Sequence, residues 1–133
     1  MELADDQMCF VCGPRNPIGL KLKFEFDGDT YVTRFTPRPE HQGYVGVTHG
    51  GIVSTVLDEV MARLVHVLGH EAVTAELTVR LKRPAFTGRE LTFVGRITGE
   101  RGRIIDCAAE ARDSSGALVA EATARMMKVR RER

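Results

Sequence analysis

The chain lacks a dominant charge: 19 basic and 18 acidic side chains leave a net charge of +1 among 133 residues. No global field therefore draws it to nucleic acid or to a membrane surface. No apolar run approaches the ~20 residues that cross a bilayer, and the opening Met1-Glu-Leu-Ala-Asp-Asp6 is acidic where a secretory leader would be apolar; the cytoplasm is the expected compartment. Cysteine is scarce and odd in number, three in all, which argues against a disulfide framework. Internal repeats, low-complexity stretches, interdomain linkers and Gly-rich phosphate loops are also missing. What is present, 43% hydrophobic and 28% charged residues, describes one ordinary globular domain over residues 1–133. Its first 19 residues are irregular, with Gly13-Pro14 and Asn16-Pro17 forcing turns, and its basic tail at 130–133 is expected to fray.

Periodicity organises the rest. Leu20, Leu22, Phe24 and Phe26 alternate with charged residues and predict a half-buried strand, Asp27-Gly28-Asp29 a hairpin turn, and Tyr31, Thr33 and Phe35 a return strand stopped by Pro37 and Pro39. Residues 40–48 form a Gly-rich loop. From Gly51 to Leu68 apolar side chains recur at helical spacing and cover roughly half the circumference, with Gly69 as the stop. Strands follow at about 75–81, 90–99, 103–112 and 117–129. The order β-β-α-β-β-β-β gives one long helix and a mostly antiparallel sheet, an α+β arrangement. One helix cannot cover both faces of such a sheet, so the sheet should curl around the helix and be completed by a second subunit.

Thr48-His49-Gly50-Gly51 opens that helix, and Asp58 lies two turns inside it. The first amides of a helix have no intrahelical partner and carry the positive end of its dipole, and glycine lets a ligand approach them. Such a start suits an oxygen that is becoming negative, through the N–H of Gly51 or of Gly50. His49 reads as a hydrogen-bonder that holds the loop. Asp58 lies at the border of the apolar face with no cation one turn away, whereas Glu59 has Arg63 four residues later, the spacing of an exposed ion pair. A partly desolvated Asp58 suits proton abstraction or a structural hydrogen bond to a neighbouring strand.

The order of elements, Cys9-Phe-Val-Cys-Gly-Pro-Arg-Asn-Pro-Ile-Gly-Leu20, Gly43-Tyr-Val-Gly-Val-Thr-His-Gly-Gly51, Leu57-Asp58 and Ala72-Val-Thr-Ala-Glu-Leu-Thr-Val-Arg-Leu81 together resemble the PaaI-like acyl-CoA thioesterases of the hotdog fold, in which a curved antiparallel sheet wraps one long central helix. The resemblance covers nearly the whole chain. It implies that Asp58 is the catalytic acid, as general base or nucleophile, that His49-Gly50-Gly51 binds the thioester, and that Thr74 helps to place the attacking water. Gly43 stands where some relatives carry Asn, and the adjacent Gln42 is the candidate substitute in substrate binding.

Gly51 and Asp58 are seven residues apart, about 10 Å along one helix. One carbonyl cannot meet both, but two antiparallel helices from two chains bring Asp58 of one to Gly51 of the other. A homodimer or a dimer of dimers is therefore expected. Lys82, Arg83 and Arg89 flank Pro84 and are candidates for the phosphates of coenzyme A. Cys9 and Cys12 have metal-knuckle spacing, but a second pair is missing and only a composite site, with His41 for example, could complete it; they are read as small buried anchors of the N-terminal loop, and no metal or other cofactor is expected. Cys107 reads as core. His66 and His70 read as cations at the helix end. The function expected is hydrolysis of an acyl-CoA thioester to free acid and coenzyme A. The alternative is a hotdog module that binds acyl-CoA without cleaving it; the Asp and His motif of a hotdog hydratase is missing.

Overall fold

The computed structural model describes residues 2–129, so the tail at 130–133 lies outside the described residues. The first ladder begins later than alternation predicts: β1 is Phe24–Asp27. Lys21 adopts φ 53°, a left-handed conformation that interrupts an extended run. The amides of Leu20 and Leu22 donate instead to the carbonyls of Phe10 and Val11, at 2.8 and 2.9 Å. The alternating stretch thus divides, one half held by the N-terminal segment and the other by β2 (Thr30–Phe35).

Helix α1 spans Gly50–Val67. Its buried stripe is Val53, Val56, Leu57, Val60, Met61, Leu64 and Val65, the i, i+3, i+4 set of a helix lying on a sheet. Val67 and Leu68 are exposed, so the stripe is narrower than the sequence pattern suggests. Gly69 at φ 96° ends the helix, its amide donating to His66 O at 2.9 Å.

Strands β3 (Ala72–Leu81), β4 (Leu91–Arg101), β5 (Ile104–Asp113) and β6 (Leu118–Lys128) complete one sheet in the order β1-β2-β4-β5-β6-β3, every neighbouring pair antiparallel. α1 packs against β2 through β6. This is the hotdog fold. Its core sits between the helix stripe and an inner face rich in small side chains: Ala109, Ala111, Ala120, Ala122 and Ala124 are all buried, as is Cys107, the core residue expected in β5.

Helix and sheet approach closely at Gly95 in β4. A Cβ there would lie 2.8 Å from the carbonyl oxygen of Val60, and backbone does not move aside as a side-chain tip can. Gly95→Ala should therefore lower unfolding stability by about 1–3 kcal/mol, read as a fall in the denaturant midpoint with an unchanged slope.

Candidate active site

The helix start is built on a buried imidazole. His41 packs against Phe35, with ring centroids 5.2 Å apart, and its Nδ1 accepts the amide of Arg38 at 2.9 Å. Burial, and next the charge of Arg38, lower the pKa of His41, which favours the neutral ring this acceptor role needs. Its carbonyl receives the amide of His49 at 2.8 Å, and Ala85 O receives that of Thr48 at 2.8 Å. His49 is the N-cap: its Nδ1 accepts the Gly51 amide at 2.9 Å. The loop-holding role expected of His49 is therefore visible, with a consequence the sequence did not signal. The Gly51 amide is engaged by the imidazole, while the Gly50 amide has no protein partner among the described residues.

Gly50 lines a cavity of about 650 Å³ together with Thr48, His49, Val53, Lys82 and Arg83. Gly51 and Asp58 are not in its wall. Thr48 is buried, and its hydroxyl is the buried side-chain polar atom that lacks a partner among the described residues. Sequence reasoning passed over this threonine, although its place just before His49-Gly50-Gly51 was a usable signal.

Asp58 is half-buried on α1 and meets the residue named with it: Thr74 Oγ1 donates to Asp58 Oδ1 at 2.7 Å and lies 3.3 Å from Met126 Sδ. A bulge in β3 produces this contact. The register against β6 shifts between Thr74 and Glu76, so Ala75 is exposed and Thr74 turns toward the helix. Strict period-2 alternation from Leu77 would have turned Ala75 inward and Thr74 outward.

Glu59 is not the exposed partner of Arg63. It is half-buried, and its carboxylate faces the N-terminal segment, accepting from Cys9 Sγ at 3.5 Å and Cys12 Sγ at 3.7 Å. Arg63 Nη1 donates to Cys12 Sγ at 3.6 Å, and its guanidinium lies 5.8 Å from the centre of the Phe24 ring. Desolvation raises the pKa of Glu59, opposed by the two thiol hydrogen bonds. Desolvation, then the Glu59 charge, pushes the Cys12 thiol up to about 12. The two cysteines are half-buried on the helix surface, not enclosed in a core, and the metal-type group that gathers with them is Glu59 and not His41, whose ring packs against Phe35.

Of the candidate substrate-binding residues, Lys82 and Arg83 reach the cavity wall and Gln42 and Arg89 do not. Lys82 Nζ lies 3.5 Å from Glu121 Oε1. Gln42 Oε1 accepts the Gly46 amide at 3.2 Å within its own loop. Arg89 lies over the Phe86 ring, 5.0 Å from its centre. No described helix is long and apolar enough to cross a membrane.

The sequence model of the thioesterase superfamily matches residues 45–120, a span that holds the helix start, Asp58, Thr74 and the sheet. Comparison with curated protein sequences finds no match. Among solved structures, a thioesterase superfamily protein designated RHA08564 superposes with a TM-score of 0.86 at 26% identity over 92% of this chain, which spans 61% of that protein's length. A hypothetical thioesterase from Streptococcus pneumoniae, solved with coenzyme A, gives 0.77 at 20% identity, covering 84% of this chain and 88% of that one. The E. coli PaaI protein from the phenylacetic acid degradation operon gives 0.76 at 20% identity, covering 82% and 84%. The last two likenesses are to the fold.

Proposed function

Because the chain belongs to the thioesterase superfamily, we propose that it hydrolyses an acyl-CoA thioester to a free acid and coenzyme A, in sites shared between the two chains of a homodimer. The observation that carries this reading is the split of the machinery along α1. Gly50, whose amide is open, lines a cavity at the helix start, while Asp58 of the Asp58–Thr74 pair lies about 12 Å further along. Two antiparallel helices reunite them.

In this mechanism the thioester carbonyl accepts from the Gly50 N–H. His49 keeps the Gly51 amide occupied and so fixes the first turn. Water between that carbonyl and Asp58 of the other chain attacks the carbonyl carbon and gives its proton to the Asp58 carboxylate. Thr74, donating to Oδ1, orients the carboxylate so that its other oxygen takes the proton. The oxyanion collapses, the C–S bond breaks, and the thiolate leaves with the electron pair; as a good leaving group it needs no dedicated acid. Lys82 and Arg83 at the cavity wall supply charge for the phosphates of coenzyme A. The Streptococcus pneumoniae protein has been solved with an aspartate, and separately a threonine sixteen positions further on, changed to alanine; Asp58 and Thr74 have the same separation.

The test is release of free coenzyme A, followed with a thiol-reactive dye across aryl, short and medium acyl chains, alongside sedimentation at the assay concentration. Turnover by a dimer or tetramer is expected. Saturable acyl-CoA binding without turnover would make the chain a binding module instead, and a fully active monomer would overturn the shared site.

A further inference from the structure

Sequence alone offers two metal-type ligands at knuckle spacing, Cys9 and Cys12, and does not identify a third. The fold supplies one. Cys9 Sγ, Cys12 Sγ and a Glu59 oxygen lie within 4.8 Å of one another on the outer side of α1, away from the cavity at the helix start. We propose that Cys9, Cys12 and Glu59 form a zinc site that fastens the N-terminal segment to the middle of the helix.

Four observations converge on it. The ligand atoms are close to the spacing required: a tetrahedral zinc with bonds of about 2.3 Å to sulfur and 2.1 Å to oxygen separates the two by roughly 3.6 Å. Glu59 Oε2 stands 3.5 Å from Cys9 Sγ and Oε1 3.7 Å from Cys12 Sγ, and one carboxylate oxygen and both sulfurs lie within 4.8 Å of one another. The turn between the cysteines is tightly closed, Gly13 N donating to Cys9 O at 2.8 Å, with no room at Gly13 for a Cβ, which would sit 2.4 Å from Cys9 N. This holds both thiols on one side of the turn. Charge also balances: two thiolates and a carboxylate, a divalent cation and the Arg63 guanidinium sum to zero, and Arg63 already donates to Cys12 Sγ at 3.6 Å, as a supporting donor to a ligating sulfur does. Finally, the N-terminal segment has little apolar anchorage: between residues 2 and 20 the only buried hydrophobic side chain is Val11. A segment so poor in buried surface needs another fastening.

Thiolate ligands select zinc over the harder divalent cations. Binding releases the two thiol protons to solvent. The fourth position opens on a hollow that Asp5, Asp6 and His66 also border, where water can complete the tetrahedron. The proposal is independent of the hydrolytic reading, because none of its ligands is in the thioester machinery.

The experiment is titration of reduced, metal-free full-length protein with zinc in competition with a chelating indicator, repeated with cobalt(II) and followed by absorbance. One zinc per chain and a thiolate-to-cobalt charge-transfer band with strong tetrahedral d–d absorption are expected. Cys12→Ser should abolish both, Glu59→Gln should weaken binding by about 10-fold or more, and Cys107→Ala should bind as the parent does. Circular dichroism would establish that each variant is folded; were Cys12→Ser not folded, Glu59→Gln with the cobalt spectrum decides. Absence of stoichiometric binding by the parent, or equal binding by parent and Glu59→Gln with an unchanged cobalt spectrum, would overturn the site.

Discussion

Asp58→Asn should lower kcat by about 10²–10⁴, the usual cost of losing a general base, with dimer and fold intact. Asparagine preserves the shape of the side chain and can still accept from Thr74, whose hydroxyl donates to Oδ1 at 2.7 Å in the parent. It cannot take a proton from water near neutral pH. Substrate affinity should change little, or rise slightly, because a half-buried negative charge is removed. The control is Glu90→Gln, an exposed carboxylate away from the site, expected to retain parental turnover. Glu59, although adjacent in sequence, is unsuitable as a control since its carboxylate binds the two cysteines. Steady-state kinetics over one acyl-CoA series measures the effect, and equal turnover by Asp58→Asn and the parent would remove Asp58 from the mechanism.

The second large effect is expected at a backbone atom. Gly50→Pro deletes the one N–H at the helix start that lacks a protein partner, and proline is well accepted at the first helical position. The residue before a proline must be extended, and His49, at φ −58° and ψ 131°, already is. The new Cβ would approach Leu81 Cδ1 at 2.7 Å, but that atom is the tip of a side chain 55% exposed and can turn away. Gly50→Ala adds the same Cβ and retains the N–H, so it separates crowding from donor loss. Relative to Gly50→Ala, kcat of Gly50→Pro should fall by about 10²–10³, the effect of removing one oxyanion donor. A fall confined to KM would mean that the amide binds substrate without stabilising the transition state.

Much of this site was legible in the sequence because its parts follow local rules. His49-Gly50-Gly51 begins a helix where capping chemistry requires it, and Asp58 stands at the edge of a stripe set by 3.6-residue periodicity. Legibility ended where tertiary contacts decide. Which glycine amide is open depends on the His49 ring reaching Gly51, a rotamer that spacing does not reveal. Thr74 meets Asp58 through a bulge that reverses the facing of β3. Glu59 and Arg63 have the spacing of an exposed pair, yet the N-terminal segment folds over them and supplies two thiols from about fifty residues away. The strand expected from Leu20 begins at Phe24 because the kink at Lys21 and the carbonyls of residues 10 and 11 compete for the same amides.

The measurement that bears most directly on the shared site mixes two inactive chains. Asp58→Asn and Gly50→Pro proteins are each purified, dissociated together and reassociated in equal amounts, and thioester hydrolysis is compared with that of each variant treated alone. In a mixed dimer one site combines both defects, and the other combines the intact Asp58 of the Gly50→Pro chain with the intact Gly50 of the Asp58→Asn chain. Random pairing makes half of the dimers mixed, so activity should return to roughly a quarter of the parental value. If each site lay within one chain, every site in the mixture would remain defective, and activity no higher than that of the separate variants, with mixed dimers demonstrably formed, would contradict the account.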